Sequence, residues 1–248
     1  MSVGRKYGRC EESSGVFKMK QKIFILHGWA YSTEKWQPIL GLLKKQNIEP
    51  VMLEIPGLTV PLENVWKLED YVAWLKNIVD KEKGKVILLG HSNGGRISIA
   101  FAAKYPEKVN QLFLIDSAGI YHNELPLRIK RSVFGFLAKT GKKISHSERL
   151  RKLLYRFARE SDYEKVNPIV RQTMHNLITS DVSPSLLQIP ASVTIIWGAN
   201  DKITPLVDGE KMQTLLPNAE LYIIKEGRHS PQFTQAKEVS EIVINNLK

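Results

Sequence analysis

Apolar runs of strand length alternate with amphipathic stretches of helix length along this chain, and this alternation constrains the fold more than any other feature. It is typical of βαβ units, in which crossover helices join parallel strands. Several runs are apolar throughout, as expected for strands that helices cover on both faces. The predicted strands are Lys22–Leu26, Glu49–Ile55, Lys85–Leu89, Gln111–Asp116, Ser192–Trp197 and Glu220–Ile224. The predicted helices are Thr33–Lys45, Leu68–Lys81, Gly94–Tyr105, Pro205–Leu216 and Thr234–Asn246.

One segment, residues 119–187, interrupts the alternation without starting a new sheet. Its pattern predicts several helical pieces, and we interpret it as a lid inserted between two core strands. The predicted core is residues 20–118 and 188–248, and residues 1–19 form an N-terminal extension unless Met19 is the natural start. The predicted fold class is therefore α/β, a mostly parallel sheet flanked by helices with a helical lid insertion. A chain of 248 residues is long enough to bury the core of one such domain.

The chain is strongly basic, with a net charge of +11, and the lid segment holds thirteen Lys and Arg against six Asp and Glu. A basic surface can attract nucleic acid, membranes or acidic proteins. No helix-turn-helix, zinc-finger or RNA-binding signature accompanies the charge, so nucleic acid is not predicted as a partner. A solvated surface is the favoured interpretation. The alternative is that the basic lid contacts an acidic carrier protein or an anionic membrane surface.

Composition also bears on location and cofactors. No apolar run is long enough to span a bilayer, and Met1–Lys20 has no apolar signal region, so we expect a cytoplasmic protein. The single cysteine, Cys10, excludes an intramolecular disulfide and a cysteine metal cluster. Because no phosphate-binding loop or Cys/His cluster is present in the sequence, we expect neither a metal nor an organic cofactor.

The motif with the clearest chemistry is Gly90-His91-Ser92-Asn93-Gly94, a G-x-S-x-G between a predicted strand and a predicted helix. At such a turn the serine is held in a strained backbone conformation with its hydroxyl above the sheet edge. The residues two before and two after the serine approach closely, which gives both glycines a steric reason. The sequence therefore predicts Ser92 as a nucleophile.

A serine hydroxyl needs a base and an acid that orients the base. Of the six histidines, His229 follows the last predicted strand, so it is expected at the same sheet edge as Ser92. Asp201 follows the preceding strand, and the order Ser, Asp, His is the one expected of this arrangement. Asp116, at the end of another core strand, is the rival for the acid. Its alternative interpretation is a cap for the turn that leads into the lid.

Acyl transfer also requires hydrogen-bond donors for the oxyanion. The predicted donors are two backbone N–H groups. One belongs to Asn93, directly after the nucleophile, and the other to Trp29, in the loop after the first strand.

These motifs resemble the α/β-hydrolase superfamily of serine esterases and lipases. The matching landmarks, in order, are His-Gly-Trp at 27–29, Gly-His-Ser-Asn-Gly-Gly at 90–95, Trp-Gly-Ala-Asn-Asp at 197–201 and Gly-Arg-His at 227–229. The resemblance covers residues 22–118 and 188–248. The family's first two strands have no clear counterpart before Lys22.

The resemblance implies hydrolysis of carboxylic esters through an acyl-enzyme on Ser92, with a small-molecule ester as substrate. Two alternatives stay open: an esterase that acts on an ester carried by an acidic acyl carrier protein, and a carbon–carbon bond hydrolase. A non-catalytic binding module on the same fold is the hypothesis from another class. An intact Ser92, Asp201 and His229 set counts against it.

Overall fold

The structure, a computed structural model, describes residues 21–30, 32–121 and 168–248. The N-terminal extension with Met19, and the greater part of the predicted lid, lie outside the described residues. The described strands are β1 (Gln21–Leu26), β2 (Ile48–Met52), β3 (Val86–His91), β4 (Val109–Ile115), β5 (Ser192–Gly198) and β6 (Ala219–Ile224). The described α-helices are α1 (Gln37–Lys45), α2 (Leu68–Val79), α3 (Asn93–Lys104), α4 (Pro168–Thr179), α5 (Leu206–Leu215), α6 (Pro231–Thr234) and α7 (Ala236–Asn245). Short 3-10 helices lie at Glu34–Trp36, Pro106–Lys108 and Ser183–Gln188.

All six described strands pair in parallel, in the order β2-β1-β3-β4-β5-β6. The chain first adds β2 on one side of β1 and then crosses to add β3 on the other side. In open α/β sheets, ligands bind in the crevice outside the carboxyl ends of the strands at such a switch point. The loops after β1 and β3 therefore border the expected position of the site.

The core lies on both faces of the sheet, as the continuous apolar runs predict. Successive side chains of a strand point to opposite faces. Along β3, Leu88 packs in a cluster with α2, α3 and α5, whereas Leu89 packs in a second cluster with α1 and α7. Every residue of β3 is buried, which explains why this run shows no polar alternation.

Most predicted elements differ from the structure by one or two residues at an end, and two elements differ by more. The second strand stops at Met52 rather than Ile55, because Ile55 turns away and its N–H donates to Thr59 Oγ1 at 2.9 Å. Ile55 is fully buried all the same, so apolar character continues where strand pairing has stopped. The last predicted helix divides at Gln235 into α6 and α7, and α6 begins three residues earlier than predicted, at Pro231.

The described end of the 119–187 segment packs on the core. The described part of this segment includes helix α4, Pro168–Thr179. The hydroxyl of Thr173 accepts the Trp66 N–H at 2.9 Å, and the Asn176 amide donates to the Trp66 carbonyl at 3.0 Å. Within residues 21–30, 32–121 and 168–248, no helix has both the length and the apolar character needed to cross a membrane.

Candidate active site

Ser92 lies in the sharp turn between β3 and α3. Its backbone has φ 53° and ψ −120°, a conformation that costs an ordinary residue about 1–3 kcal/mol. The Ser92 N–H donates to the carbonyl of Ile115 on β4 at 3.2 Å, and its carbonyl accepts from Ala118 at 2.9 Å. The turn is therefore held by the strand beside it as well as by the helix that follows.

The glycines of the motif are required by close backbone contacts. A methyl group on Gly94 would lie 2.0 Å from the carbonyl oxygen of Leu26, on β1. One on Gly90 would lie 2.6 Å from the Cα of Gly95 and 2.7 Å from the carbonyl of Gly94. The approach of Gly90 to Gly94 follows the prediction, but the tightest contact is the one that β1 makes.

The structure brings Ser92, His229 and Asp201 into one chain of hydrogen bonds. His229 Nε2 lies 3.1 Å from Ser92 Oγ, and His229 Nδ1 lies 2.8 Å from Asp201 Oδ2. A neutral imidazole with its proton on Nδ1 donates to the carboxylate and leaves Nε2 free to accept the serine proton. This is the tautomer that general-base activation of a serine requires.

The Asp201 carboxylate is fully partnered inside the site. Its Oδ2 also accepts the Thr204 hydroxyl at 2.6 Å, and its Oδ1 accepts the backbone N–H of Ile203 at 2.7 Å. Burial acts to raise the pKa of Asp201, but the bonds from His229, Thr204 and Ile203 outweigh it and the pKa is lowered. The carboxylate is thus held ionised, as an acceptor for the imidazole must be.

Asp116, the rival for the acid, lies next to this chain but does not join it. The side chain is fully buried, Oδ1 accepts the Gly198 N–H at 2.8 Å, and Oδ2 has no hydrogen-bond partner among the residues that the structure describes. Burial, with a smaller contribution from the charge of Asp201, raises the pKa of Asp116 to about 8. The contact with Gly198 ties the end of β4 to the end of β5.

Two residues beside the predicted set take part in this network without having been singled out for it. Thr204 Oγ1, which donates its proton to Asp201, also lies 3.2 Å from His229 Nδ1 and 3.2 Å from the Asp116 carbonyl oxygen. His91 Nε2 lies 2.7 Å from the carbonyl oxygen of His229. Nothing in the local sequence around His91 indicates that its side chain reaches the loop that carries His229.

The loop after β1 lies directly against the serine. A methyl group on Gly28 would lie 2.8 Å from Ser92 Cβ, so Trp29 follows at the site. The buried His27 has Nδ1 at 2.7 Å from the Gly28 carbonyl, which can only accept, so Nδ1 carries a proton. Burial lowers the pKa of His27 and keeps it neutral. Asn93 is the first residue of α3, where backbone N–H groups have no partner within the helix.

The site also contains a group of potential metal ligands. Among the described residues, one ligand atom each from His91, Asp116 and His229 lie within 4.8 Å of one another. The nitrogens that hold the site together are already engaged, since His229 bonds Ser92 and Asp201 and His91 bonds a backbone carbonyl. An ion at this position would have to compete with the hydrogen bonds that align the serine and the imidazole.

Known proteins share this architecture. A family model described as the alpha/beta hydrolase family matches residues 23–242. The chain is 25% identical over 269 residues to the 2-hydroxy-6-oxononadienedioate/2-hydroxy-6-oxononatrienedioate hydrolase of Escherichia coli (strain K12), covering 92% of this chain and 87% of that hydrolase.

Solved structures agree in fold. The lipase-esterase related protein from Clostridium acetobutylicum ATCC 824 has a TM-score of 0.69 at 17% identity, covering 93% of this chain and 96% of that one. A mutant of the meta-cleavage product hydrolase from Pseudomonas fluorescens IP01 has a TM-score of 0.65 at 19% identity, covering 91% and 89%. Because the family model spans the sheet from β1 to α7, the chain belongs to the alpha/beta hydrolase family.

Proposed function

We propose that this hydrolase cleaves carboxylic esters through an acyl-enzyme on Ser92. The observation that carries the proposal is the chain of two hydrogen bonds, 3.1 Å from Ser92 Oγ to His229 Nε2 and 2.8 Å from His229 Nδ1 to Asp201 Oδ2. A serine hydroxyl is a weak nucleophile until a base takes its proton. Here the imidazole is already aligned between the serine and the carboxylate before substrate binds, and the carboxylate favours the tautomer with its proton on Nδ1.

In the proposed reaction, Ser92 Oγ attacks the ester carbonyl while His229 takes the hydroxyl proton, and Asp201 stabilises the imidazolium. The tetrahedral oxyanion accepts hydrogen bonds from the backbone N–H groups of Trp29 and Asn93. His229 then donates its proton to the departing alcohol, which leaves the acyl-enzyme. A water molecule, deprotonated by His229, attacks the acyl carbonyl, and collapse of the second intermediate releases the acid and restores the serine.

A second candidate is hydrolysis of a carbon–carbon bond. It is favoured by the likeness to the 2-hydroxy-6-oxononadienedioate/2-hydroxy-6-oxononatrienedioate hydrolase, which extends over 92% of this chain. The same serine, base and oxyanion donors would act on a ketone carbonyl, with a carbon rather than an oxygen as the leaving atom. Ester hydrolysis is the preferred proposal because the aligned serine, base and acid are sufficient for that reaction. A dicarboxylate substrate would also need cationic groups to bind the carboxylates at its ends.

The test combines labelling with a substrate panel. A fluorophosphonate probe should modify wild-type protein at Ser92, with the modified peptide identified by mass spectrometry. Nitrophenyl esters of increasing acyl length and a 2-hydroxy-6-oxo dienedioate are then compared by kcat/KM. Preference for the esters supports the first proposal, and preference for the dienedioate supports the second. A protein that neither labels nor turns over any substrate is a binding module on this fold.

A further inference from the structure

The imidazole of His91 lies between the two segments that carry the proposed nucleophile and base. His91 is the last residue of β3 and directly precedes Ser92, yet its Nε2 lies 2.7 Å from the backbone carbonyl oxygen of His229. The hydroxyl of Ser230 lies 3.5 Å from the same nitrogen. A single side chain thus connects the nucleophile turn to the loop after β6.

The chemistry of this contact fixes the state of His91. A carbonyl oxygen can only accept a hydrogen bond, so the Nε2 of His91 must carry a proton. Burial and, to a smaller extent, the neighbouring His229 together lower the pKa of His91 to about 3, so the ring is neutral near pH 7 and donates from Nε2. The donor therefore keeps one protonation state well above that pKa.

Packing fixes the direction of the bond. The His91 ring meets Trp36 edge-on, with centroids 6.0 Å apart, and lies 6.2 Å from the ring of Phe233. It also lies 5.2 Å from the His229 ring itself. Only 6% of the His91 side chain and backbone surface is exposed. These ring contacts hold the imidazole in the orientation of its hydrogen bond to the His229 carbonyl.

The loop that carries His229 is tied to the acid side of the site by a different residue. The N–H of Asn200 donates to the Gly227 carbonyl at 2.8 Å, and its side-chain amide donates to the Lys225 carbonyl at 3.1 Å. These bonds set the loop relative to Asp201, which follows Asn200. The bond from His91 sets it relative to Ser92.

We propose that His91 is a positioning residue, which holds the His229 loop at the distance where the imidazole can accept the Ser92 proton. The proposal rests on the proposed roles of Ser92 and His229. It assigns a function to the residue before the nucleophile: a neutral donor long enough to reach the backbone of the base. A misplacement of about 1 Å at a reacting group can cost roughly a hundred-fold in rate. Loss of the hydrogen bond from His91 could therefore lower kcat, although His91 is not one of the reacting groups.

The decisive variants differ in donor reach. His91→Phe keeps an aromatic ring but has no donor, His91→Gln has an amide that reaches about as far as Nε2, and His91→Asn has the same amide one methylene shorter. We expect kcat for a small neutral ester to fall about ten- to a hundred-fold in the Phe and Asn variants. KM should change by less than about two-fold, because His91 is not expected to touch the substrate. His91→Gln should recover most of kcat.

His175→Phe, on the exposed face of α4, is the matched control for the substitution itself. Folded fraction is measured for every variant by far-UV circular dichroism. If His91→Phe does not fold, the comparison of Gln with Asn decides alone, because the two differ only in reach. Equal kcat for the Gln and Asn variants, or an unchanged kcat in a folded Phe variant, overturns the positioning role. Failure of wild-type protein to label at Ser92 would instead overturn the proposed function.

Discussion

The hydrogen-bond partners of His229 determine which of its two ring nitrogens carries the proton. The carboxylate of Asp201 has a lowered pKa and can only accept, so Nδ1 of His229 carries the proton. Nε2 of His229 is then unprotonated and can accept the proton of the Ser92 hydroxyl. His91 donates to a carbonyl from Nε2, and burial keeps its ring neutral. Hydrogen-bond complementarity, more than net charge, orders this site.

Ser92→Ala should abolish turnover while the protein stays folded, because only the hydroxyl is removed. Loss of a nucleophile that works with a base costs roughly 10⁴-fold or more in kcat. The matched control is Ser240→Ala, a buried serine on α7 whose hydroxyl bonds the Lys237 carbonyl far from the site. Purified Ser92→Ala that retains a tenth of wild-type kcat would show that another group is the nucleophile.

Asp201→Asn should lower kcat by about three to four orders of magnitude, because an amide that presents its NH₂ to His229 favours the wrong tautomer. Asp116→Asn should leave kcat within about ten-fold of wild type, since Oδ1 can still accept from Gly198 and no bond to His229 is lost. Both variants are compared at equal folded fraction. The reverse order of the two kcat values would make Asp116 the acid.

Asp116 also predicts a pH dependence of stability. Its pKa is about 8 in the folded protein and 3.8 as a free side chain, so between these values the folded state holds a proton that the unfolded chain has released. Stability from this group therefore falls as pH rises from about 4 to 8, by about 1.4 kcal/mol per pH unit for one proton.

Asp116→Asn removes this proton uptake, and asparagine tolerates the positive φ of 41° found there. The difference in Tm between the variant and wild type should therefore shift in favour of the variant as pH rises from 5 to 8. Glu69→Gln, an exposed acid on α2, is the control and should show a constant difference from wild type. A constant difference for Asp116→Asn as well would mean that the buried carboxyl is ionised in the folded protein.

The elements that matter most are β1, β3 and α3, because the nucleophile turn forms only where they meet. Helix α3 starts so close to β1 that no side chain fits at Gly94. The turn therefore depends on the neighbouring strand, and an isolated β3-α3 unit would lack the contact that fixes it. By contrast, Gly41 in α1 has open space where a methyl group would go.

Gly94→Ala and Gly41→Ala test this difference with the same chemical change. Gly41→Ala should stabilise the protein by about 0.5–1 kcal/mol, because alanine loses less backbone entropy in a helix. Gly94→Ala should destabilise it and abolish fluorophosphonate labelling, since the methyl group would lie 2.0 Å from the Leu26 carbonyl. Urea denaturation measures both free energies of unfolding. A Gly94→Ala protein as stable as wild type would contradict the contact.

Over the whole molecule, sheet order brings the site together. The proposed nucleophile follows β3, the proposed acid follows β5 and the proposed base follows β6, and the parallel arrangement puts all three at one edge of the sheet. The chain carries a net charge of +11. Residues 119–187 contribute much of this excess, since they include thirteen Lys and Arg against six Asp and Glu. A solvated surface is the favoured interpretation of this charge, and the proposed alternative is that the charge attracts an acidic carrier protein.

Reversing Arg151, Lys152 and Arg159 to Glu tests that partner, although these residues lie outside the described ones. For an ester borne on an acidic carrier, kcat/KM should fall at low salt and lose its salt dependence, because steering of the carrier weakens. For a small neutral ester it should stay within about two-fold, since no steering is involved. Equal effects on both substrates, or no effect on either, would leave the basic segment as solvated surface.

The sequence by itself determined the local features of this protein. Apolar periodicity predicted six strands at the positions where the described sheet has them, and the glycines around Ser92 predicted a strand-to-helix turn. Both signals are local, because a strand or a turn is encoded within a few residues. The position of His229 and Asp201 after parallel strands followed from the same rule, since such strands end at one edge.

Only the tertiary structure decided which side chains touch. His91 and His229 are 138 residues apart in the chain, and their contact depends on the order of β3 and β6 in the sheet and on the ring packing around His91. The division of roles between Asp201 and Asp116 depends likewise on burial and on Thr204, Ile203 and Gly198, which donate to one carboxylate or the other. No local pattern encodes such contacts, because their geometry exists only once the strands are packed side by side.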